Sequence, residues 1–216
     1  INPPNAVNYE FNDHLSLLFD RTITLLTGLD ENGKEIGGLG YYRYRAIEFL
    51  MNEEDRKRYG DVASISRRLS AIMKTLMVKR LESSFQAFKM SLNRLLKNTE
   101  HMINMFQDNR VYIAPDIDVN KYLDEGEEEE LELKINAKGG NNQIYVSKDF
   151  NEKFLPLLIQ DRQMVADLVE AWTEIDYDPK LEKFIVELKN MFLNKSINHS
   201  GKLVIFTESK ETMEYI

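Results

Sequence analysis

The sequence predicts a mainly α-helical protein with a small β element. Long segments carry apolar residues at intervals of three and four, which is the spacing of one helix face. Strict apolar–polar alternation, typical of a half-buried strand, occurs in the short runs 131–135 and 143–146. A third signal is the wholly apolar run 203–206, typical of a strand buried on both faces of a parallel sheet. We therefore expect an elongated helical segment, a small hairpin or sheet, and near the end of the sequence a strand buried on both faces.

Composition excludes several classes of protein. The 216 residues are 43% hydrophobic and 30% charged, which suits a globular chain. No apolar run approaches the ~20 residues that a membrane span needs, so no membrane partner is expected. Cysteine is absent, which excludes disulfides, thiolate catalysis and cysteine-based zinc sites. The three histidines lie far apart and lack the paired spacing of a metal site: His14, His101 and His199.

The two ends of the sequence indicate whether the chain is a piece of a longer protein. It opens with Ile1 and Asn2 and shows no signal-peptide pattern of basic, apolar and small-residue regions. It stops at Ile216 within a helical pattern. We expect a piece of a longer, cytoplasmic protein.

The first half of the chain is predicted to be helical. Asn12 or Asp13 should cap a first helix that Gly28 ends, and a short second helix should cover 41–51. Two long apolar stripes follow, and the capping-box spacing of Ser83 and Gln86 marks a fresh start between them. The first stripe comprises Val62, Ile65, Leu69, Ile72, Met73, Leu76 and Met77. An unbroken helix of ~45 residues would form a rod of ~65 Å that pairs with another helix or projects.

The second half alternates between irregular and helical segments. A strand is predicted at 111–113, ended by Pro115, and the acidic run 124–130 is expected to be an exposed, mobile loop. The alternating runs 131–135 and 143–146 should pair as a hairpin across the turn 139–142. Further helices should start after Ser147, restart at Pro156 and run to about Thr173, and follow Asp178 with Pro179 in the first turn.

The net charge of −8 conceals a strongly basic segment. Residues 56–97 contain eleven Lys and Arg but only Asp61 and Glu82 as acids, a balance of +9, so the remainder carries −17. Such a segment is a candidate contact for phosphates or for an acidic partner. The alternative is a solvated helix face.

Two segments resemble nucleotide-binding motifs but lack residues that those motifs require. Residues 28–35 almost spell a P-loop, but Glu35 stands where a hydroxyl must reach Mg²⁺, and Asp30 and Glu31 would repel phosphate. Residues 124–127 imitate a DExH box, yet no apolar strand leads into Asp124. The chain by itself is therefore expected to have no catalytic residues and no cofactor.

Several stretches nevertheless resemble one family. Residues 202–216, Lys-Leu-Val-Ile-Phe-Thr-Glu-Ser-Lys-Glu-Thr-Met-Glu-Tyr-Ile, resemble the opening of the second RecA-like lobe of superfamily-two helicases, and more narrowly of Swi/Snf-type DNA translocases. Asp178-Pro179-Lys180-Leu181 resembles the helix before that strand. Residues 76–85, Leu-Met-Val-Lys-Arg-Leu-Glu-Ser-Ser-Phe, resemble an element that closes the first lobe of bacterial members, and 9–13 and 42–50 also resemble that group.

The resemblance implies a place between the two ATPase lobes. The family's P-loop and DExH box lie before this region and its Q-x-x-G-R-x-x-R motif lies after it, and all three are missing here. The implied organisation has four parts. A helical region at 1–107 follows the first lobe, and an irregular and β segment with the acidic run covers 108–146. A helical linker at 147–200 then leads to the start of the second lobe at 201–216.

The implied function is that of a non-catalytic fragment of an ATP-dependent DNA helicase or translocase. It would brace the remaining ATPase lobes of the same chain and contact the DNA backbone without base specificity, while ATP and Mg²⁺ would bind elsewhere in the parent protein. The basic segment and the resemblance together supply the candidate phosphate contacts: Arg67, Arg68, Lys74, Lys79, Arg80, Thr207, Ser209 and Lys210.

Other interpretations stay open at this point. The chain could instead be a helical protein–protein interaction module with no nucleic-acid role, its charges only solubilising. Lys79 and Arg80 could form ion pairs with neighbouring acids. For Trp172, Tyr41 and Tyr44, core packing is a simpler role than base stacking.

Overall fold

The computed structural model describes residues 6–60, 62–207 and 210–216, without the side chains of residues 62, 63 and 65. The described part is mainly helical with one small antiparallel sheet, as predicted. Its α-helices are α1 Asp13–Thr27, α2 Glu53–Arg58, α3 Val62–Ser83, α4 Phe85–Gln107, α5 Val119–Glu125, α6 Glu128–Lys138, α7 Phe154–Thr173, α8 Pro179–Glu187 and α9 Lys210–Tyr215. Its strands are β1 Val111–Ile113 and β2 Gln143–Tyr145.

The ends of several helices follow the predicted capping residues. The Asn12 side chain accepts a hydrogen bond of 2.8 Å from the backbone N–H of Leu15, which caps α1. Gly28 ends that helix with φ 72, a left-handed conformation that favours glycine. Asp178 caps α8, whose first residue is Pro179. These three predictions are confirmed.

A sharp break separates the two long helices. Ser84 is extended, with φ −162 and ψ 134, and its side chain accepts a hydrogen bond from the backbone N–H of Ala87. The predicted fresh start is therefore present, but the cap is Ser84 and not Ser83. Because the break lets α3 and α4 pack together, they do not form a continuous rod of ~65 Å.

Two apolar clusters form the core, and α4 and α7 contribute to both. The first cluster surrounds the sheet and includes Phe106 and Phe154. The second centres on the fully buried Trp172, which packs edge-on against Phe85 and Phe88. Since the same two helices run through both clusters, they connect the sheet end of the molecule to the end that holds α1 and α3.

The predicted hairpin between 131–135 and 143–146 is wrong. Residues 131–135 lie within α6, where Leu131 and Ile135 are buried one helical turn apart while Leu133 is 70% exposed. The partner of β2 is β1, in antiparallel register with Val111 opposite Tyr145. Alternation over five residues also places two apolar side chains at i and i+4, so the pattern fits a helix equally well.

The acidic run 124–130 is exposed as predicted, but it is not simply a loop. It spans the end of α5, the left-handed Gly126 and the first turn of α6. Three of its carboxylates, Glu128, Glu129 and Glu130, lie in that first turn, where negative charge interacts favourably with the helix dipole.

Two further segments depart from prediction. The predicted helix 41–51 is a pair of 3₁₀ turns, Tyr42–Tyr44 and Ala46–Phe49. The apolar run 203–206 is not a strand: within the described chain it lies beside no other strand, and Val204 and Phe206 are 72% and 92% exposed. The strand expected to open an α/β lobe is therefore absent from the described residues, whereas the helix after it, α9, is present.

Candidate nucleic-acid interface

An open cleft of about 520 Å³ lies between the end of α3, the start of α8 and the C-terminal residues 205–207 and 212–216. The end of α3 contributes polar side chains, whereas the other two walls contribute both polar and apolar ones. The lining includes Lys79, Ser83, Lys180, Phe206, Thr207 and Tyr215. Three stretches that are distant in sequence thus meet at one surface.

The C-terminal wall is held to α3 and α4 by α9. Arg80 donates to Glu211 at 2.5 Å, and Arg94 lies 3.6 Å from the other oxygen of the same carboxylate. The hydroxyls of Ser83 and Thr212 lie 3.4 Å apart. Arg80 thus forms an ion pair, as in the alternative role given for it above, although its partner Glu211 is distant in sequence.

The opposite wall is the start of α8. The Asp178 carboxylate accepts hydrogen bonds of 3.1 Å from the backbone N–H groups of Lys180 and Leu181. The Lys180 ammonium donates at 2.9 Å to the backbone carbonyl of Glu82, at the end of α3. A cation there satisfies one of the carbonyls that a helix leaves without an intrahelical partner.

The cleft carries both signs of charge. Burial raises the pKa of Tyr215, and the Asp178 carboxylate raises it further. Burial likewise raises the pKa of Tyr9, followed by the charges of Asp178 and Glu82. Negative charge thus lies beside each lysine of the cleft, with Glu82 near Lys79 at the end of α3 and Asp178 near Lys180 at the start of α8.

The structure brings together only part of the predicted set. Lys79 and Thr207 line the cleft, Arg80 lies beside it, and Lys210 begins α9, where it pairs with Glu214 at 3.4 Å. Arg67 and Arg68 are exposed three turns earlier on α3. The Lys74 ammonium instead donates to the backbone carbonyl of Thr27 at 2.5 Å. Ser209 lies outside the described residues.

Sequence reasoning missed two groups that shape the cleft. Lys180 crosses from α8 to the end of α3, and Glu211 anchors α9. Lys180 lies within the stretch that carries the family resemblance, so its position could have drawn attention to it. Nothing in the local pattern marks Glu211, because its role depends on which helix it meets.

Many of the cations of 56–97 have partners within the same chain. Lys97 pairs with Asp124 at 2.8 Å, and Lys57 with Glu53 at 2.8 Å. The Lys89 ammonium donates to the backbone carbonyl of Ile175, and burial lowers its pKa. These lysines of the segment therefore have partners within the chain, and the net charge of 56–97 by itself does not identify a ligand.

The segment that imitates a P-loop is built differently from a phosphate cradle. The Asp30 carboxylate accepts hydrogen bonds from the backbone N–H groups of Asn32 at 2.9 Å and Lys34 at 2.8 Å. A P-loop needs such N–H groups to point at phosphate oxygens. Here a carboxylate of the loop itself occupies them.

The aromatic residues are divided between core and surface. Trp172 and Tyr41 are almost fully buried, and Tyr44 is partly buried beneath the Arg43 guanidinium. Core packing of Trp172 and Tyr41 is confirmed. At the cleft, Phe206 is almost fully exposed and Tyr215 is exposed to a smaller extent.

Within the described residues, no group of three or more His, Asp or Glu side chains is arranged to hold a metal ion. None of the helices in the described ranges is long and apolar enough to cross a membrane. Comparison with protein-family models, with curated proteins and with solved structures found no match to this chain.

Proposed function

We propose that this chain is a non-catalytic segment of a cytoplasmic, ATP-dependent DNA helicase or translocase, in which it braces the two ATPase lobes and contacts backbone phosphates. One observation carries the proposal. The stretch 76–85, which resembles an element closing the first lobe, supplies Lys79 to the same cleft that receives Thr207 from the stretch resembling the opening of the second lobe. These two residues are far apart in sequence, and the resemblance alone did not require them to meet.

The chemistry of the cleft supports phosphate contact. A lysine ammonium and a threonine hydroxyl are common ligands of nucleic-acid phosphates, and such contacts fix position without reading base sequence. Binding should therefore be nonspecific. In the parent protein ATP and Mg²⁺ would bind to the lobes outside this chain, and this chain would supply neither nucleotide nor metal ligands.

The links across the cleft support a bracing role. The Arg80–Glu211 ion pair and the Ser83–Thr212 contact join α9 to the junction of α3 and α4. A displacement of the C-terminal segment would therefore be passed to the two longest helices of the molecule. Such a connection is what a segment between two moving lobes requires.

The direct test is duplex DNA binding, measured by fluorescence anisotropy at low salt. A variant with Arg67, Arg68, Lys79 and Arg80 all changed to Glu should lose detectable binding. The matched control makes the same change of charge at four exposed lysines elsewhere: Lys121, Lys138, Lys148 and Lys153. Equal loss in both variants would show a general charge effect, and unchanged binding by the first variant would overturn the proposal.

A second variant distinguishes loss of a phosphate contact from misfolding. It is needed because the quadruple change breaks the ion pair of Arg80. Lys79→Gln combined with Thr207→Ala leaves that pair intact and changes two exposed residues. We expect DNA affinity to fall several-fold with the circular dichroism spectrum unchanged. An affinity equal to that of the unmodified chain would contradict the cleft as the site.

A second candidate function is that of a helical interaction module. It is favoured by the internal pairing of many cations of 56–97 together with apolar side chains left exposed on α3. Salt distinguishes the two functions. Binding through several phosphates weakens steeply with salt, whereas apolar helix pairing changes little.

A further inference from the structure

The outer face of α3 carries an apolar stripe that the rest of the described chain leaves uncovered. Leu69, Ile72 and Leu76 are 43%, 52% and 44% exposed, at i, i+3 and i+7. The first apolar stripe of the sequence is therefore split, because Met77 is buried in the core on the other side of the helix. A shallow depression of about 320 Å³ lies over the stripe and is lined by Ala71, Ile72, Thr75, Leu76 and Lys79.

Two cations flank the stripe along one edge. At about 100° per residue, Arg68 and Lys79 lie within about 40° of Ile72 around the helix axis. They are eleven positions apart, which is three turns, and both are exposed. Arg67, by contrast, lies about 140° away from Ile72. Residues 62–81 contain no acidic side chain at all.

This combination specifies the chemistry of an occupant. Apolar residues at i, i+3 and i+7 are matched by the apolar face of another amphipathic helix lying against them. The cations at the two ends of the stripe favour acidic side chains on the edges of that helix and disfavour basic ones.

A second copy of the chain is a poorer match for this face. Its own α3 carries the same stripe, but pairing two such faces would bring Arg68 and Lys79 of both copies to one interface, and 62–81 supplies no acidic side chain to offset them. The other described α-helices expose at most two large apolar side chains each, and those of α8, Ile185 and Val186, are adjacent and so do not form a stripe over two turns. The occupant is therefore better matched by a helix of another protein.

We propose that the outer face of α3 docks an acidic amphipathic helix of a partner protein. This proposal rests on the second candidate function, the helical interaction module, and names the partner of that module. The outer face of α3 is distinct from the phosphate contacts of the cleft. Lys79 lines both surfaces and Arg68 is also a candidate phosphate contact, so the two surfaces are separated by Ile72, which belongs to the α3 face alone.

The test uses the whole chain and two synthetic amphipathic peptides, with binding followed by isothermal titration calorimetry. Both peptides carry leucines at i, i+3, i+4 and i+7; one has glutamates on the flanking positions and the other has lysines. The glutamate peptide should bind, and Ile72→Asp should weaken it about tenfold or more, because a carboxylate would be placed in the centre of the contact. Ile72 is half exposed, so this change should leave the fold intact.

Charge reversal supplies an independent variant. Arg68→Glu with Lys79→Glu should weaken the glutamate peptide about fivefold and strengthen the lysine peptide, whereas Arg67→Glu, the control, should change either affinity by less than about twofold. Equal affinities of the two peptides for the unmodified chain, or no binding of either peptide, would overturn the proposal. Self-association that Ile72→Asp abolishes would also overturn it, since a second copy would then cover the face.

The same variants keep this inference separate from the phosphate-contact function. Ile72→Asp should leave DNA affinity within about twofold, since no phosphate contact is assigned to that residue. Loss of peptide binding with DNA binding retained would place the peptide on α3 alone. Loss of both together would contradict two separate surfaces.

Discussion

A single hydroxyl joins two helices in the core of the molecule. The Thr22 hydroxyl donates to the backbone carbonyl of Leu18 at 2.6 Å and accepts from the indole N–H of Trp172 at 2.9 Å. Thr22 and Trp172 are both fully buried. The hydroxyl therefore satisfies a buried donor that has no access to water, and it ties α1 to α7.

Thr22→Val should destabilise the protein although the shape of the side chain is preserved. The change leaves the Trp172 N–H buried without an acceptor, which costs about 1–3 kcal/mol in the free energy of unfolding. Urea denaturation measures the loss. The control is Thr173→Val, where an exposed hydroxyl makes the same bond to the carbonyl four residues earlier, and its effect should stay within about 0.5 kcal/mol. Equal small losses in both variants would contradict this role for Thr22.

Asp161 gives the stability of the protein a specific pH dependence. Its buried carboxylate accepts hydrogen bonds from the backbone N–H groups of Gly40 at 2.8 Å and Tyr42 at 2.9 Å. Burial raises its pKa above 3.8, more than these hydrogen bonds lower it. A carboxyl group whose pKa is raised by folding stabilises the folded state most below its unfolded pKa, and that contribution is lost as the pH rises through the folded pKa.

The free energy of unfolding of the unmodified chain, relative to that of Asp161→Asn, should therefore rise as the pH is lowered from 7 towards about 4. Denaturant titrations at several pH values measure the difference. A difference that shrinks on acidification would contradict the raised pKa.

At the scale of the elements, the break between α3 and α4 depends on Ser84. Ser84→Ala removes the side-chain acceptor for the N–H of Ala87 and should cost about 1 kcal/mol in the free energy of unfolding. Ser70→Ala, within α3, removes only a bond to the carbonyl of Arg67 at a partly exposed position and should cost less. Thermal or urea denaturation compares the two variants, and a larger loss at Ser70 would be inconsistent with Ser84 as the cap.

The ends of helices were predictable where a nearby capping residue determines them. Asn12, Gly28 and Asp178 act within one turn of their own positions, so their effects are visible in sequence. The pairing of β1 with β2 joins segments about thirty residues apart, and no short-range pattern specifies such a partner. The run 203–206 has strand composition, but a strand also needs a neighbour.

The candidate site was predictable to a similar extent. Lys79, Arg80 and Thr207 were found because they lie in the basic segment or in stretches resembling a family. The role of Glu211 as the partner of Arg80 depends on which helices pack together. The same holds for Lys74, whose ammonium binds the carbonyl of Thr27 and not a ligand. Tertiary packing decides which basic residues remain available for a ligand, and the sequence does not contain that information locally.

For the molecule as a whole, we expect no ATP turnover by this chain. The one segment that resembles a P-loop directs its N–H groups at Asp30. The purified chain should therefore release no phosphate from ATP above background, with or without DNA. DNA-stimulated turnover that co-purifies with the chain and survives removal of contaminating ATPases would contradict this expectation.

The central claim is that the cleft of the whole molecule contacts DNA phosphates, and the salt dependence of DNA affinity tests it most directly. For B-DNA, the logarithm of the binding constant falls with the logarithm of salt concentration by about 0.9 per phosphate neutralised. A steep slope is predicted for the unmodified chain, and Lys79→Gln should make it shallower by about one unit. A slope near zero, or one that Lys79→Gln leaves unchanged, would contradict the claim.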